Sequence, residues 1–367
     1  MKDSPQHPRS RIARVLAVAG AITLSLVALS APASAWSVGA GLPTAAGFVS
    51  GDHSAAAVRA EDSRILGYWT PSRIANAKFR DYVRTGSGKM VPNAKPGTGG
   101  VVTGASWPNG GEIQKRSGRI LFSAGGSDWI CSGSVVNDAS TGNGYSIVLT
   151  AGHCVYDGAD GWSYNFLYMP NFDAEPSYDC NTRANGCWRA NLLAAHDDFV
   201  PEGFGTDETV RVDYGFARVG LRIAGSGTAE LDAATGGYGL NTASVANSVT
   251  KWAFGYPAAG RYKGKDLVYC TGPTIDDPYD APTWGIGCNM TGGSSGGPWI
   301  YGTTNPAVYT AGTLLTSVNS YGYSGLTYMF GPRFNTETQT VFTSATSGTA
   351  SPGASVVCSV GTSPPTC

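Results

Sequence analysis

Thr291-Gly292-Gly293-Ser294-Ser295-Gly296-Gly297-Pro298 decides the reading of this chain, together with Leu149-Thr150-Ala151-Gly152-His153-Cys154 far upstream. A nucleophilic serine needs its hydroxyl on a tight turn, flanked by residues small enough for backbone N–H groups to converge on a developing oxyanion. Gly293 to Gly297 supplies that turn around Ser295. His153 offers the base, because an imidazole exchanges protons near neutral pH and serine attacks poorly until a neighbour takes its proton.

The same residues also satisfy G-x-S-x-G, the nucleophile elbow of α/β-hydrolases. Chain order excludes that fold for an active enzyme. Its histidine must follow the serine, whereas His7, His53, His153 and His196 all precede Ser295. An Asp, His, Ser order using Asp128 or Asp138 stays open on order alone, and nothing around those aspartates favours it.

Charged residues are 14% of the chain and the net charge is −1, against about 25% charged residues in an average protein. Neither nucleic acid nor an anionic membrane is favoured as a partner. Arg9, Arg11 and Arg14 precede an apolar run from Val15 to Leu29 and then Ala31-Pro32-Ala33-Ser34-Ala35. This is a signal-peptide pattern, residues 1–35, with cleavage expected after Ala35. The run is short for a membrane span, and the absence of adjacent arginines disfavours a twin-arginine route. The expected product is a secreted, extracellular protein. Cys131, Cys154, Cys180, Cys187, Cys270, Cys288, Cys358 and Cys367 all lie beyond the signal. They suit four disulfides in an oxidising compartment. Their spacing fits no zinc site, so no metal and no cofactor are expected.

Residues 36–96 read as a pro-segment. A helix is expected from Pro71 to Val83, with Thr70 as cap and Pro71 at the first helical position. Pro96-Gly97-Thr98-Gly99-Gly100 reads as a linker. From about Gly118 onward, short β-branched and aromatic runs alternate with turn residues: Arg119–Phe122, Ser134–Val136, Ser146–Thr150, Ser248–Phe254 and Val308–Gly312. That density of short strands predicts an all-β barrel or sandwich over residues 97–345. Residues 346–367 read as a Ser/Thr/Pro-rich, loosely ordered tail closed by its own disulfide.

Four blocks stand in order: Cys131-Ser132-Gly133-Ser134-Val135-Val136, Leu149-Thr150-Ala151-Gly152-His153-Cys154, Asp213-Tyr214-Gly215-Phe216-Ala217, and Gly293-Ser294-Ser295-Gly296-Gly297-Pro298. Together they resemble the signatures of the chymotrypsin-like serine proteases. Cys131-Ser132-Gly133-Ser134 and Tyr328-Met329-Phe330-Gly331-Pro332 are similar to the bacterial, glutamyl-endopeptidase-like (V8-like) branch. The resemblance covers about residues 110–345 and implies two six-stranded antiparallel β-barrels with the active site between them. It implies Ser295 as nucleophile, His153 as general base and then acid, and Asp213 as the acid that orients the imidazole. Asp197, Asp198 and Asp207 rival Asp213, and His196 reads as a loop residue. The oxyanion donors would be the N–H groups of Gly293 and Ser295. Cys131 would pair with Cys154 and Cys270 with Cys288, with Cys180–Cys187 and Cys358–Cys367 as local closures. The expected partners are protein or peptide substrates, with no nucleic acid, no membrane after signal removal, and a monomeric state.

Two departures from the family pattern bear on regulation and specificity. Ser294 stands where animal trypsin-like enzymes place the carboxylate that receives a new N-terminus. Residues 36–96, if they silence the enzyme, should therefore block the cleft or assist folding. Asn289 takes the position of the aspartate in a Lys/Arg pocket. Ser317–Gly322 resembles the strand that pairs with substrate backbone, placing Ser320 and Gly322 on the pocket wall, with Asn319 where glutamyl-specific relatives carry a histidine. The pocket is expected to be polar and uncharged. A catalytically silent binding module and an esterase on the same fold are the alternatives. The acidic run Asp276-Asp277-Pro278-Tyr279-Asp280 lacks EF-hand spacing and reads as a solvated loop rather than a calcium site.

Overall fold

The computed structural model describes residues 54–80, 82–85, 90–92, 104–177, 179–225 and 229–358. The expected signal peptide, the Pro96–Gly100 linker and the Cys358–Cys367 bridge lie outside the described residues.

Six strands make the first barrel: β1 (Ser117–Ala124), β2 (Ser127–Val136), β3 (Ser146–Thr150), β4 (Tyr164–Pro170), β5 (Trp188–His196) and β6 (Gly215–Val219). Every neighbouring pair is antiparallel, and the ring runs β2-β1-β4-β5-β6-β3 and back to β2. Closure gives every strand of the ring two neighbours, although β5 meets β4 only at Trp188 and Arg189, and its Leu192–His196 end pairs on that side with a strand from outside the ring. β1 and β2 meet at Gly125-Gly126, both with positive φ (55° and 73°). Two such residues make the tight turn whose twist matches the strands it joins. Ile120, Val135, Val148, Leu167, Leu193 and Ala217 contribute to a single buried core.

The second half carries β7 (Lys251–Gly255), β8 (Val268–Gly272), β9 (Thr274–Asp276), β10 (Thr283–Gly287), β11 (Pro298–Tyr301), β12 (Leu314–Val318) and β13 (Tyr328–Pro332). It is the second barrel of the expected pair, but its hydrogen-bond ladder is not continuous. One sheet contains β12-β11-β7-β8 and the other β9-β10-β13. The joins are made by other means. Cys270–Cys288 ties β8 to the end of β10. An isolated bridge between Tyr321 and Phe330, and Phe334 N–H donating to Thr316 O at 3.3 Å, tie β12 to β13. Ala253, Val268, Trp284, Ile286 and Trp299 fill this smaller core.

Several local expectations need correction. The helix expected over 71–83 stops at Asn76. Thr70 does cap it, accepting from Arg73 N–H, and Pro71 opens it. Beyond it Lys78–Phe79 pairs parallel with β2, and Tyr82–Arg84 is a strand of its own, so tertiary pairing overrides the helical pattern. Val308–Gly312 forms turns instead of a strand; Val308 is 55% exposed and has no core to bury against. The tail is more ordered than expected. The helix Thr336–Ser347, with a capping box at Asn335, runs from the expected protease domain to the start of the tail, and within the tail Ala354–Cys358, here β14, adds antiparallel to β5. A further helix, Ala55–Tyr68, is not signalled by the sequence, because its alanine-rich stretch buries only Glu61 and Ile65 and carries little apolar periodicity. Among the described residues no helix is long and apolar enough to cross a membrane.

Candidate active site

β3 and β6 are neighbours in register, with Thr150 opposite Gly215. The residues just beyond those ends, His153 in the short helix Gly152–Val155 and Asp213 before β6, are thereby brought together. Both are fully buried. Asp213 Oδ2 lies 2.9 Å from His153 Nδ1, and Oδ1 accepts the His153 backbone N–H at 2.8 Å. Ser320 Oγ also donates to Oδ2. A carboxylate bound to Nδ1 fixes the tautomer that leaves Nε2 with a free lone pair. Nε2 is buried and has no hydrogen-bond partner among the described residues.

The rival acids are engaged elsewhere. Asp197 accepts from Gly353 N–H at 2.9 Å and from Ser355 Oγ, Asp198 pairs with Arg211 and Asp207 with Arg84. Asp128 accepts from Tyr68 at 2.7 Å, and Asp138 closes its own turn through Ser140 N–H. His196 is no loop residue: it ends β5, is buried, and its Nδ1 accepts from Asp198 N–H at 3.0 Å. Burial pushes its pKa below the ordinary imidazole value.

Ser295 sits on a turn that only glycine allows. Gly293 has φ +95° and Gly296 φ +78°, and a Cβ on Gly296 would stand 2.1 Å from Thr150 Oγ1 and 2.6 Å from Ala151 N. The serine loop thus abuts the histidine loop with no room for a side chain between them. Ser132 staples the contact, its N–H donating to Ser295 O at 2.7 Å and its Oγ to Gly293 O at 2.8 Å. The Cys131–Cys154 bridge pins the same junction. Ser132 belongs to the Cys131–Val136 block, but its stapling role is not legible in the sequence because both partners lie far along the chain. Gly292 O accepts from Ala258 N–H at 2.8 Å, and a trans peptide then turns the Gly293 N–H the opposite way. Among the described residues the N–H groups of Gly293 and Ser295 have no protein partner.

A cavity beside Ser295 is lined by Asn289, Thr291, Ser320, Tyr321 and Gly322, with no charged side chain among its described walls. Asn289 Oδ1 accepts from Tyr262 OH at 2.7 Å and from Arg261 at 3.1 Å. Asn319 is not a wall residue, contrary to expectation. It is fully buried behind the serine loop, its amide donating to Phe254 O and Ser294 O and its Oδ1 accepting from Trp299 Nε1. The acidic run is also not a solvated loop throughout. Asp277 is buried and accepts from the hydroxyls of Tyr321 (2.7 Å) and Tyr323 (2.9 Å).

Tyr82 and Val83, from the N-terminal segment, also line this cavity. Arg80 donates to His153 O at 3.2 Å and pairs with Asp157 and Asp160. The Tyr82 ring stands edge-on to the His153 ring at 5.0 Å, and Val83 and Arg84 pair parallel with Gly322 and Tyr323. A strand from the N-terminal segment therefore lies along the wall that flanks Ser295.

The fold is shared with solved bacterial proteases. Protease Anisep from Arthrobacter nicotinovorans is 34% identical over 64% of this chain and 96% of its own, with a TM-score of 0.52. The thermostable serine protease AL20 from an extremophilic microorganism is 30% identical over 64% and 98%, also with a TM-score of 0.52. The chain belongs to the chymotrypsin-like serine proteases. Within them its likeness is to the bacterial, V8-like branch. A Glu endopeptidase, 18% identical with a TM-score of 0.50 over 68% of this chain and 98% of its own, shares the chymotrypsin-like architecture. No protein-family model and no curated protein sequence matches the chain. Three of the disulfides expected from the resemblance, Cys131–Cys154, Cys180–Cys187 and Cys270–Cys288, are present in this chymotrypsin-like fold.

Proposed function

We propose that the chain is a secreted serine endopeptidase that cleaves protein and peptide substrates through an acyl-enzyme. Ser295 is the nucleophile, His153 the base that takes its proton and returns it to the leaving amine, and Asp213 the acid that supports the imidazolium. The observation that carries this reading is the grip of Asp213 on both the ring and the backbone of His153, with Nε2 left unpartnered in a buried site. Oxyanion stabilisation falls to the N–H groups of Gly293 and Ser295. The mature enzyme is residues 97–345 with the C-terminal extension. No step calls for a metal or a cofactor, and the enzyme works as a monomer.

Residues 1–35 direct export, and residues 36–96 are a pro-segment that silences the enzyme by filling its cleft. Tyr82 against His153 and Val83 beside Ser295 support that form of inhibition. With Ser294 in place of a carboxylate, activation cannot use an ion pair at that position, so removal of the block is the activating event. Among neutral side chains the Asn289 pocket imposes the primary preference, because it offers hydrogen bonds and no counter-charge.

A fluorophosphonate probe tests the reading. The processed wild-type protein should be labelled at Ser295, the Ser295→Ala protein should not, and the unprocessed chain should react far more slowly. A folded, processed wild type that resists the probe would establish a catalytically silent binding module instead. Labelling accompanied by hydrolysis of short esters and none of casein would identify an esterase.

A further inference from the structure

Arg84 is the most unusual side chain of the segment in the cleft. It is charged, its side chain is only 3% exposed, and it lies one residue beyond Val83, which lines the cavity beside Ser295. Its guanidinium pairs with Asp207 and donates to Tyr323 OH at 3.1 Å. It stands 5.6 Å from the centre of the Tyr321 ring and 5.7 Å from that of Tyr323. Behind the rings, both hydroxyls donate to the buried Asp277 carboxylate, which Thr283 also contacts at 3.3 Å. Each feature favours a cation. Ring faces attract it through their quadrupole, and Tyr323 oxygen is a better acceptor because its own proton is committed to a carboxylate. Asp207, half exposed, supplies the counter-charge.

Tyr321 and Tyr323 belong to the stretch Ser320–Tyr323, which continues from β12 along the cavity wall and which pairs main chain to main chain with Val83 and Arg84. An extended peptide can therefore lie on that wall with one side chain at the Asn289 cavity and a neighbouring one in the tyrosine box. Consecutive residues advance by roughly 3.3–3.6 Å, so the two sites serve nearby positions of one peptide.

We propose that Asp207, Tyr321 and Tyr323, backed by Asp277, form a secondary substrate subsite for an arginine or lysine side chain, which Arg84 occupies in the unprocessed chain. The inference rests on the endopeptidase reading above. The preferred substrates are polypeptides with a neutral residue in the Asn289 cavity and a basic residue close by in sequence. Arg84 is then a tethered copy of that recognition element, which explains how a short strand can hold the cleft without a covalent bond to Ser295.

The full chain is expressed, allowed to process, and profiled with peptide libraries in which Arg, Lys, Gln and norleucine are exchanged at each position flanking the scissile bond. One position other than that entering the Asn289 cavity should favour Arg and Lys over Gln and norleucine by about tenfold in kcat/KM. In Asp207→Asn the ratio should fall to about two, and the ratio is read within one variant, so any general loss of activity cancels. A second measurement does not depend on cleavage. The peptide Lys78–Thr85 should bind processed Ser295→Ala protein, produced by adding wild-type enzyme, about tenfold more tightly than the same peptide carrying Arg84→Gln. Active enzyme with a flat profile at every such position, equal binding of the two peptides, or a preference untouched by Asp207→Asn overturns the subsite while leaving the endopeptidase reading standing. Failure of the processed protein to cleave any peptide or take the fluorophosphonate overturns the endopeptidase reading, and the subsite with it.

Discussion

The two barrels hold their candidate site residues by different means. In the first, a closed ring of six antiparallel strands sets His153 and Asp213 at the ends of adjacent strands, both fully buried. In the second, two sheets are joined by a disulfide, one isolated bridge and single hydrogen bonds, and Ser295 with its pocket sits on the loops between them. Orientation of an imidazole by a carboxylate tolerates little play, and a continuous hydrogen-bonded ladder supplies that constancy. Recognition is better served by loops, whose length and side chains change without breaking a ladder.

The largest effects should come from separating the groups that the two halves contribute. Ser295→Ala and His153→Ala should each lower kcat by on the order of 10⁶, and the double variant should be scarcely slower than either, because nucleophile and base act as one unit. Asp213→Asn should cost about 10⁴ through the wrong imidazole tautomer. Asp198→Asn, whose carboxylate faces Arg211, should cost almost nothing. A loss of 10⁴ in Asp198→Asn instead, measured on the processed protein, would reassign the acid.

Removing a disulfide from each half sharpens the contrast in stability. The loops closed by Cys131–Cys154 and Cys270–Cys288 span 23 and 18 residues, so the chain-entropy cost of losing either is about 3 kcal/mol. Their local consequences should differ. Cys270→Ser with Cys288→Ser should raise hydrogen exchange in β8 and β10, where no ladder spans the gap. Cys131→Ser with Cys154→Ser should leave β2 and β3 protected by their own pairing. Equal deprotection in both variants would show that the split ring is not a mechanical weakness.

In the pocket, Asn289→Asp should raise the relative kcat/KM for substrates with Lys or Arg at the primary position by about tenfold, since a buried cation then meets a counter-charge. A peptide profile of wild type and variant checks it. A sharp wild-type preference for Glu, Lys or Arg at that position would mean that charge is met by a group outside the described cavity walls.

The smallest effect concerns Lys251 at the start of β7, buried, donating to Ala246 O and Thr274 Oγ1, and 4.3 Å from the centre of the Trp284 ring. Burial, reinforced by Arg333, lowers its pKa from 10.5 to about 8. The folded state therefore binds fewer protons at this site than the unfolded state between about pH 8 and 10.5. Its contribution should rise with pH across that window, by on the order of 2 kcal/mol, and be constant below it. Lys251→Met should flatten the rise in chemical denaturation curves recorded from pH 7 to 10. An unchanged slope would show that the lysine keeps its charge.

The residues legible in the sequence are those whose requirement is local. Gly293 and Gly296 announce the serine turn because their backbone angles exclude other residues, and His153 and Asp213 each stand at the edge of a recognisable strand. What stayed hidden depends on partners far along the chain. Asn319 stands at a pocket position by resemblance to the family, yet Trp299 and Phe254 draw it into the core. Asp277 sits in a run of acids and turn formers that looks solvated, and only the fold brings Tyr321 and Tyr323 over it. Val308–Gly312 has the composition of a strand without a sheet edge to receive it. The helix from Pro71 ends early because Lys78–Phe79 finds β2.

The attachment of β14 carries a consequence for biogenesis. Five residues near the end of the chain, Ala354–Cys358, pair with β5, while Lys78–Phe79 near the other end pairs with β2. Both fasten onto the first barrel, and the whole second barrel lies between them in the chain. A polypeptide emerging N-terminus first can close the six-strand ring early, but it acquires β14 only after the whole second barrel has been made. Until then the Leu192–His196 end of β5 offers an open edge of the kind that recruits foreign strands. β14 thus acts as a late seal, and a chain cut off after Gly348 should give folded protein in lower yield, with the loss falling on folding and not on any catalysis by the molecules that survive.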